Sequence, residues 1–89
     1  MAYKIQYYRQ AILDAKRLKR NEPKAYEKLK KLENELKEHP RTGTGKPEPL
    51  SGGYLWSRRI TKKHRLVYEI HDTEVIVLVL TAYGHYDDK

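Results

Sequence analysis

The sequence contains no cysteine and no phenylalanine, and it has only one tryptophan and one methionine in 89 residues. Without cysteine there are no disulfide bonds, thiolate-bound metals or iron–sulfur clusters, so packing must stabilise the fold. The longest apolar run, Val75 to Leu80, is far shorter than the roughly 18 to 20 residues of a membrane-spanning helix. A signal peptide's apolar stretch is also missing from the N-terminus. We therefore expect a soluble cytoplasmic protein with a single domain over residues 1–89.

Basic residues are abundant and unevenly distributed. Nineteen Lys and Arg against twelve Asp and Glu give a formal net charge of +7 and a pI near 9.6. Residues 41–71 alone carry seven basic and two acidic side chains. This excess favours a polyanionic partner, because each neutralised phosphate releases condensed counterions. A solvated basic surface without a function is the alternative.

Two kinds of periodicity divide the first 40 residues. Residues 1–8 alternate in polarity and predict a strand with Tyr3, Ile5 and Tyr7 on one face. Helical spacing then predicts two helices that pack their apolar faces on a sheet. The apolar positions are Tyr8, Ala11, Ile12, Ala15 and Leu18 in the first helix and Ala25, Leu29, Leu32 and Leu36 in the second.

The boundary between the helices has its own signals. The first helix is expected to end near Arg20, with Asn21 as the N-cap of the second and Pro23 in its first turn. His39 and Pro40 close the second helix. The two helices therefore form an antiparallel hairpin.

The second half of the chain predicts a loop followed by three strands. Residues 41–53 hold four of the five glycines and form the loop, and β-branched and aromatic residues predict strands at 54–60, 64–71 and 74–83. Val75 to Leu80 is apolar throughout, which is typical of a strand buried on both faces. The expected fold class is α+β, in the order β-α-α-β-β-β. The helical hairpin packs on one face of a mostly antiparallel four-stranded sheet.

One acidic residue stands among the cations of the central segment. Glu48 is the only acid between Glu38 and Glu69, and it lies between two prolines that hold the backbone extended. It is either a salt-bridge partner or a positioned base. Alternation sends Arg58 and Arg59 to opposite faces of their strand.

Arg65 and the C-terminal residues complete a candidate site. Arg65 lies on the face opposite Leu66, Tyr68 and Ile70, which puts it on the open face if those three face the helices. His85 and Tyr86 follow the last strand after Gly84 and form either part of a site or a disordered terminus. A carboxylate, guanidinium groups, an imidazole and a phenol suit metal-free RNA cleavage. The histidines lack metal-ligand spacing and the glycine loop fits no nucleotide motif, so we expect neither metal nor cofactor.

Four sequence blocks resemble the YoeB family of toxins within the RelE/ParE superfamily of toxin–antitoxin modules. They are GKPEPL at 45–50, WSRRIT at 56–61, HRLVY at 64–68 and GHY at 84–86. The resemblance implies a RelE-like, microbial RNase-like fold. It also implies a ribosome-dependent endoribonuclease that cleaves mRNA in the ribosomal A site by metal-independent attack of a 2′-hydroxyl and so inhibits translation. A YefM-like antitoxin is the implied protein partner. A homodimer is left open, since the apolar positions from Ala25 to Leu36 could serve the core alone or also a dimer or antitoxin contact.

The resemblance also implies a role for individual residues. Glu48 falls on the family's general base, Arg59 and Arg65 on its phosphate-binding arginines, His85 on its general acid and Tyr86 on its terminal tyrosine. We place Arg65 with the catalytic group and Arg58 and Lys46 with Arg59 among the substrate-binding cations.

The chain departs from the family pattern at three places. The segment between Glu48 and Trp56 is shorter, and Ser51 replaces a frequent lysine, for which we expect Lys46 to substitute. An arginine common before the terminal histidine is replaced around Tyr83. The chain also continues through residues 87–89, which either shield the site or are solvated. A ParE-like inhibitor of DNA gyrase and a plain RNA- or ribosome-binding module are the alternative functions.

Overall fold

The computed structural model describes residues 2–84, which form two helices and one five-stranded mixed sheet. The elements are β1 (Lys4–Tyr7), α1 (Arg9–Asn21), α2 (Pro23–Glu38), β2 (Glu48–Ser51), β3 (Leu55–Arg59), β4 (Arg65–His71) and β5 (Ile76–Thr81). The strand order is β1-β5-β4-β3-β2; β1 pairs with β5 in parallel and the other pairs are antiparallel. The predicted α+β class is confirmed.

The sheet has five strands because β2 forms inside the predicted loop. Pro47 and Pro49 restrict the backbone to extended conformations, so residues 48–51 can pair with β3, with Glu48 opposite Ser57. Pro49 has no N–H to donate, which is tolerated because β2 is an edge strand. The prediction of a loop throughout 41–53 and of four strands is wrong at this edge.

The helical hairpin buries the seam of α2 as predicted and only part of that of α1. Residues Ala25, Leu29, Leu32 and Leu36 are all buried. In α1, Ala11 and Leu18 are buried, but Tyr8 and Ile12 are 53% and 44% exposed. The buried stripe of α1 runs through Asp14 instead, whose carboxylate accepts the Ala82 N–H at 2.9 Å. Positions 11, 14 and 18 share one helical face, and the bond satisfies the one polar side chain on that buried face.

The helices meet at a single connecting residue, Glu22. Asn21 is the last residue of α1, and Glu22 occupies the N-cap position of α2 without a side-chain cap bond. Pro23 begins α2, as its position in the sequence predicted. The expectation that Asn21 caps α2 is wrong. Glu22 caps the helix with backbone only, because its carboxylate is bonded elsewhere, to His64.

The helices cover one face of the sheet; the face they do not cover is called the open face, although Ser57 and Val67 near its centre are buried. On the covered face Leu66, Tyr68 and Ile70 of β4 pack beside Val77 and Val79 of β5. The opposite face of β5 is only half-buried, at Ile76 and Leu78. The prediction that this strand is buried on both faces is therefore wrong, because a two-helix hairpin covers only one side of the sheet. In the described residues, neither helix is long and apolar enough to cross a bilayer.

Candidate active site

Strand register places the candidate residues at one corner of the open face. Glu48 on β2 is opposite Ser57 on β3, and Arg59 on β3 is opposite Arg65 on β4. Residues opposite each other in a sheet share a face. The structure thus brings Glu48, Arg59 and Arg65 to the face that the helices do not cover, while their chemical roles stay predictions.

Glu48 and Arg65 form an ion pair across the intervening strand. The Arg65 Nη1 atom lies 3.3 Å from Glu48 Oε1, and the two side chains are 27% and 55% exposed. Such an exposed pair contributes little to stability, on the order of 0 to 1 kcal/mol. The pair is therefore accessible to a ligand and cheap to separate.

Two further cations border this pair. Arg59 and Lys46 are both exposed, and neither forms an ion pair with another residue in the range 2–84. The Arg59 N–H donates to the Gly45 carbonyl at 2.6 Å, which brings Lys46 beside the end of β3. A Cβ at Gly45 would lie 2.7 Å from the Arg59 carbonyl oxygen, so this close approach requires glycine. Gly45 thus positions the cationic end of the loop.

Arg58 does not belong to this site, and its predicted role in phosphate binding is corrected. Its side chain is fully buried on the helix-covered face. The guanidinium donates to Glu35 at 2.9 Å, to Tyr68 Oη at 3.2 Å and to the carbonyl of Thr42 at 2.6 Å, and it also bonds the carbonyl of His39. Burial forces a guanidinium to find partners within the protein. With its donors engaged there, Arg58 cannot meet a phosphate on the open face.

The buried arginine secures the loop that leads to Glu48. Glu35 accepts the Thr44 N–H at 2.8 Å and the Thr44 hydroxyl at 2.7 Å in addition to Arg58. Burial acts to raise the pKa of Glu35, but the Thr44 bonds and the Arg58 charge outweigh it and hold that pKa below its usual value. The carboxylate therefore stays ionised and fixes residues 42–44 to α2.

The last described residue, Gly84, lies next to Arg65. The Arg65 N–H donates to the Gly84 carbonyl at 2.8 Å, and the Gly84 N–H donates to His64 Nδ1 at 2.8 Å. The predictions for His85 and Tyr86 fall outside the described residues. These two residues follow Gly84 directly in sequence, and the two hydrogen bonds connect Gly84 to His64 and Arg65 at the start of β4.

Two residues near the site were not among those predicted from the sequence, His64 and Ser57. His64 has no metal-ligand spacing, and the only sequence signal was its place immediately before Arg65 in the HRLVY block. Ser57 shares the parity of Arg59, and its buried hydroxyl has no hydrogen-bond partner within the described part of the chain. Among residues 2–84, no three His, Asp or Glu side chains converge as a metal ion would require.

Comparison with known proteins decides the family. A family model described as the YoeB-like toxin of bacterial type II toxin–antitoxin systems matches residues 7–86. The chain belongs to this YoeB-like toxin family. The match spans both helices and strands β2 to β5, so it is not confined to the dense motifs of the second half; most of β1 precedes it.

Individual relatives agree with this assignment. Toxin YoeB of Mycobacterium bovis is 48% identical over 58 residues, which is 62% of this chain and 67% of that protein. The structure of a YoeB/ParE toxin from Agrobacterium tumefaciens superposes with a TM-score of 0.85 at 34% identity, covering 93% of this chain and 99% of that one.

The Staphylococcus aureus YoeB protein is similar in two structures, each covering 97% of this chain and 100% of that one. Its dimer gives a TM-score of 0.83 at 29% identity, and its complex with YefM gives 0.79 at 30%.

Proposed function

We propose that this YoeB-family toxin is an endoribonuclease that cleaves mRNA in the ribosomal A site and so inhibits translation. The observation that carries the proposal is the Glu48–Arg65 pair at 3.3 Å on the open face, with Arg59 in register beside it. A carboxylate and two guanidinium groups at one exposed corner suit a phosphodiester whose neighbouring hydroxyl must lose a proton. The net charge of +7 favours binding to ribosomal and messenger RNA.

The proposed reaction needs a base, positive charge and an acid. Glu48 takes the proton of a ribose 2′-hydroxyl, and the 2′-oxygen attacks the adjacent phosphorus. Arg65 and Arg59 stabilise the added negative charge of the pentavalent phosphorane. His85 donates a proton to the leaving 5′-oxygen, with Tyr86 beside it in sequence. The products are a 2′,3′-cyclic phosphate and a free 5′-hydroxyl, so protons and electrons balance without a metal.

The free protein keeps the two central groups engaged with each other. Arg65 neutralises Glu48 when no RNA is present, because the two form an ion pair. A substrate phosphate competes for the guanidinium, which binds phosphate oxygens with two parallel N–H donors. Substrate binding thus releases the carboxylate where it is needed. Lys46 and Arg59, both exposed, supply the first contacts to the RNA backbone.

The experiment that tests this proposal compares Glu48→Gln with the unmodified protein on programmed ribosomes. The change keeps the shape of the side chain and removes the base, so single-turnover cleavage should fall by the ~10² to 10⁴ typical of losing a general base. Ribosome binding, measured separately, should persist. Glu69→Gln is the matched control, because Glu69 shares the open face but lies opposite Leu55, away from Arg59; it should cleave near the normal rate.

A cell-free translation reaction, with DNA supercoiling measured alongside it, separates the alternative functions. Transcript ends mapped in a cell-free translation reaction should show cuts only in translated message. Intact message together with lost DNA supercoiling would support a gyrase inhibitor instead. Normal cleavage by Glu48→Gln would return Glu48 to the salt-bridge interpretation.

We also propose a YefM-like antitoxin, in the cytoplasm, as the partner that silences this toxin. The Staphylococcus aureus YoeB complex with YefM supports this partner, and its dimer supports a second copy of the chain as another. An acidic antitoxin segment should cover the basic corner of the open face and so exclude RNA. The competing surface is the groove of about 340 Å³ between α1 and α2.

Charge reversal distinguishes the two surfaces. Arg59→Glu should weaken antitoxin binding by an order of magnitude or more, because it places a carboxylate opposite an acidic partner. Lys16→Glu, at the helical groove, is the matched reversal and should change binding little. The opposite pattern would place the antitoxin on the helical face.

A further inference from the structure

We propose that His64 is a positioning residue that acts through Gly84, the residue before His85; the inference rests on the proposed cleavage chemistry at His85. His64 is 3% exposed and lies one residue before Arg65. Its two ring nitrogens bond two different parts of the fold. Nδ1 accepts the Gly84 N–H at 2.8 Å, and Nε2 lies 2.6 Å from the carboxylate of Glu22.

The two bonds select one form of the imidazole ring. A nitrogen that accepts an N–H carries no proton, so Nδ1 is the bare nitrogen and the proton lies on Nε2. Nε2 then donates to Glu22, which connects α1 to α2. The carboxylate thereby holds the ring in the tautomer that can accept from Gly84. A chain of bonds runs from the helical hairpin through His64 to the backbone that precedes His85.

The neighbouring contacts hold the same segment but cannot replace this bond. Asp14 accepts the Ala82 N–H, and the Tyr83 ring lies 4.3 Å from the His64 ring and 4.0 Å from the Arg17 guanidinium, measured to ring centroids. These contacts fix residues 82 and 83. At Gly84 itself, the N–H donates to His64 and the carbonyl accepts from the Arg65 N–H, so each of the residue's two backbone polar groups has a partner at the start of β4.

Gly84 is the position where such an anchor is needed. Its φ of +78° lies in the left-handed region, and a Cβ there would meet nothing within 4 Å. The residue therefore has space and conformational freedom that neighbouring atoms do not restrict. Misplacement by about 1 Å can cost a catalytic group on the order of 10²-fold in rate. The bonds to the Gly84 N–H and to the Gly84 carbonyl restrain the backbone on both sides of its Cα and so limit that freedom beside Arg65.

Two isosteric substitutions separate the two bonds of His64. The Asn side-chain oxygen occupies the place of Nδ1, so His64→Asn keeps an acceptor for Gly84 and loses Glu22. The Gln side-chain nitrogen occupies the place of Nε2, so His64→Gln keeps Glu22 and loses the acceptor. Each variant leaves one partner unpaired, so we expect both to lower the urea midpoint, and this shared loss serves as the control for general destabilisation.

Cleavage and amide exchange are then measured on folded protein. We expect His64→Gln to cleave programmed ribosomes about 10- to 100-fold more slowly with unchanged ribosome affinity. His64→Asn should cleave within about threefold of the unmodified protein. By NMR, the Gly84 amide should exchange with solvent faster in His64→Gln and stay protected in His64→Asn.

The outcomes distinguish this inference from the proposed function. Equal loss of cleavage in both variants, with Gly84 equally protected, would show that His64 only stabilises the fold and would overturn the inference. If the unmodified protein cleaves no message, the proposed function fails, and the exchange of the Gly84 amide still decides whether His64 anchors that residue. Exchange that is unchanged in His64→Gln would refute the anchor whatever the activity.

Discussion

Two adjacent arginines show how different the environments on the two faces of the sheet are for the same type of side chain. Arg58 points to the helices, is fully buried and donates to carbonyls, a phenol and a carboxylate. Arg59 points to the open face, is exposed, and forms no ion pair with any residue in 2–84. Burial makes unpaired charge costly, while exposure leaves charge available to a ligand. Arg58 therefore connects β3 to α2 and to the loop after it, and Arg59 remains accessible on the open face.

The same division applies to the carboxylates. Glu35 is held by Thr44 and Arg58 at the covered side, and Glu48 meets Arg65 in a single exposed contact. A network that satisfies every member rigidifies the structure, whereas one exposed pair exchanges partners easily. The fold thus uses one Arg–Glu pair to position the loop and keeps the other accessible to solvent.

The largest expected effect compares the two arginines directly. Arg58→Ala removes a buried cation and leaves Glu35 and the carbonyls of His39 and Thr42 without their partner, so the free energy of unfolding should fall by about 3 to 5 kcal/mol. Arg59→Ala should change it by no more than about 0.5 kcal/mol. Urea unfolding measures both. Should Arg58→Ala not accumulate as folded protein, Arg58→Lys provides the comparison. Equal losses at positions 58 and 59 would contradict the division between faces.

A conservative change should reduce the rate on the open face without reducing stability. Arg65→Lys keeps the positive charge and loses the planar fork, so cleavage should fall at least about tenfold, and less than the ~10² to 10³ of deleting a donor outright. Its urea midpoint should stay near normal, unlike that of Arg58→Lys. Single-turnover cleavage and unfolding are measured on the same preparations. Full activity of Arg65→Lys would remove the guanidinium from the reaction.

Acid should lower the stability of the folded protein by protonating Glu35, which lies on the covered side of the sheet. The pKa of this carboxyl is lowered in the folded protein by Thr44 and Arg58 against the effect of burial. Its contribution is therefore fully present above the unfolded pKa near 4.3 and is lost as the pH falls through the lower folded value. Glu35→Gln should flatten the loss of urea midpoint between about pH 5 and pH 3. Glu27→Gln, an exposed change on the same helix, should leave that slope as it was.

The smallest expected effect concerns the end of the chain. Removing residues 87–89 should leave cleavage unchanged or slightly improved, because they extend past the family's usual end and add acidic charge. Removing residues 85–89 should abolish cleavage as the control that includes His85 and Tyr86. If the two truncations behave alike in the ribosome assay, the terminal pair has no part in the reaction.

The local sequence pattern predicted helices and strands well where the spacing of apolar residues kept a single period over many residues. The spacing of Leu29, Leu32 and Leu36 predicted the buried face of α2, and alternation in β4 grouped Leu66, Tyr68 and Ile70 on the face that the structure buries. Prediction failed where a distant contact decided the outcome. Pro49 forms part of a strand because it pairs with Trp56 of β3, and Asp14 takes a buried position of α1, where it accepts the N–H of Ala82 just past β5, while Ile12 is exposed.

The sequence by itself determined the α+β class, the helical hairpin, the family motifs and the opposite directions of Arg58 and Arg59, because these depend on periodicities of 3.6 and 2 residues and on short blocks of residues. Only the tertiary structure decided which of the two arginines would be buried, since that depends on which face the helices cover. It also decided that Glu48 meets Arg65 from another strand and that His64 meets Gly84 and Glu22 from distant parts of the chain. Such contacts arise from strand register and helix packing, which no local pattern contains.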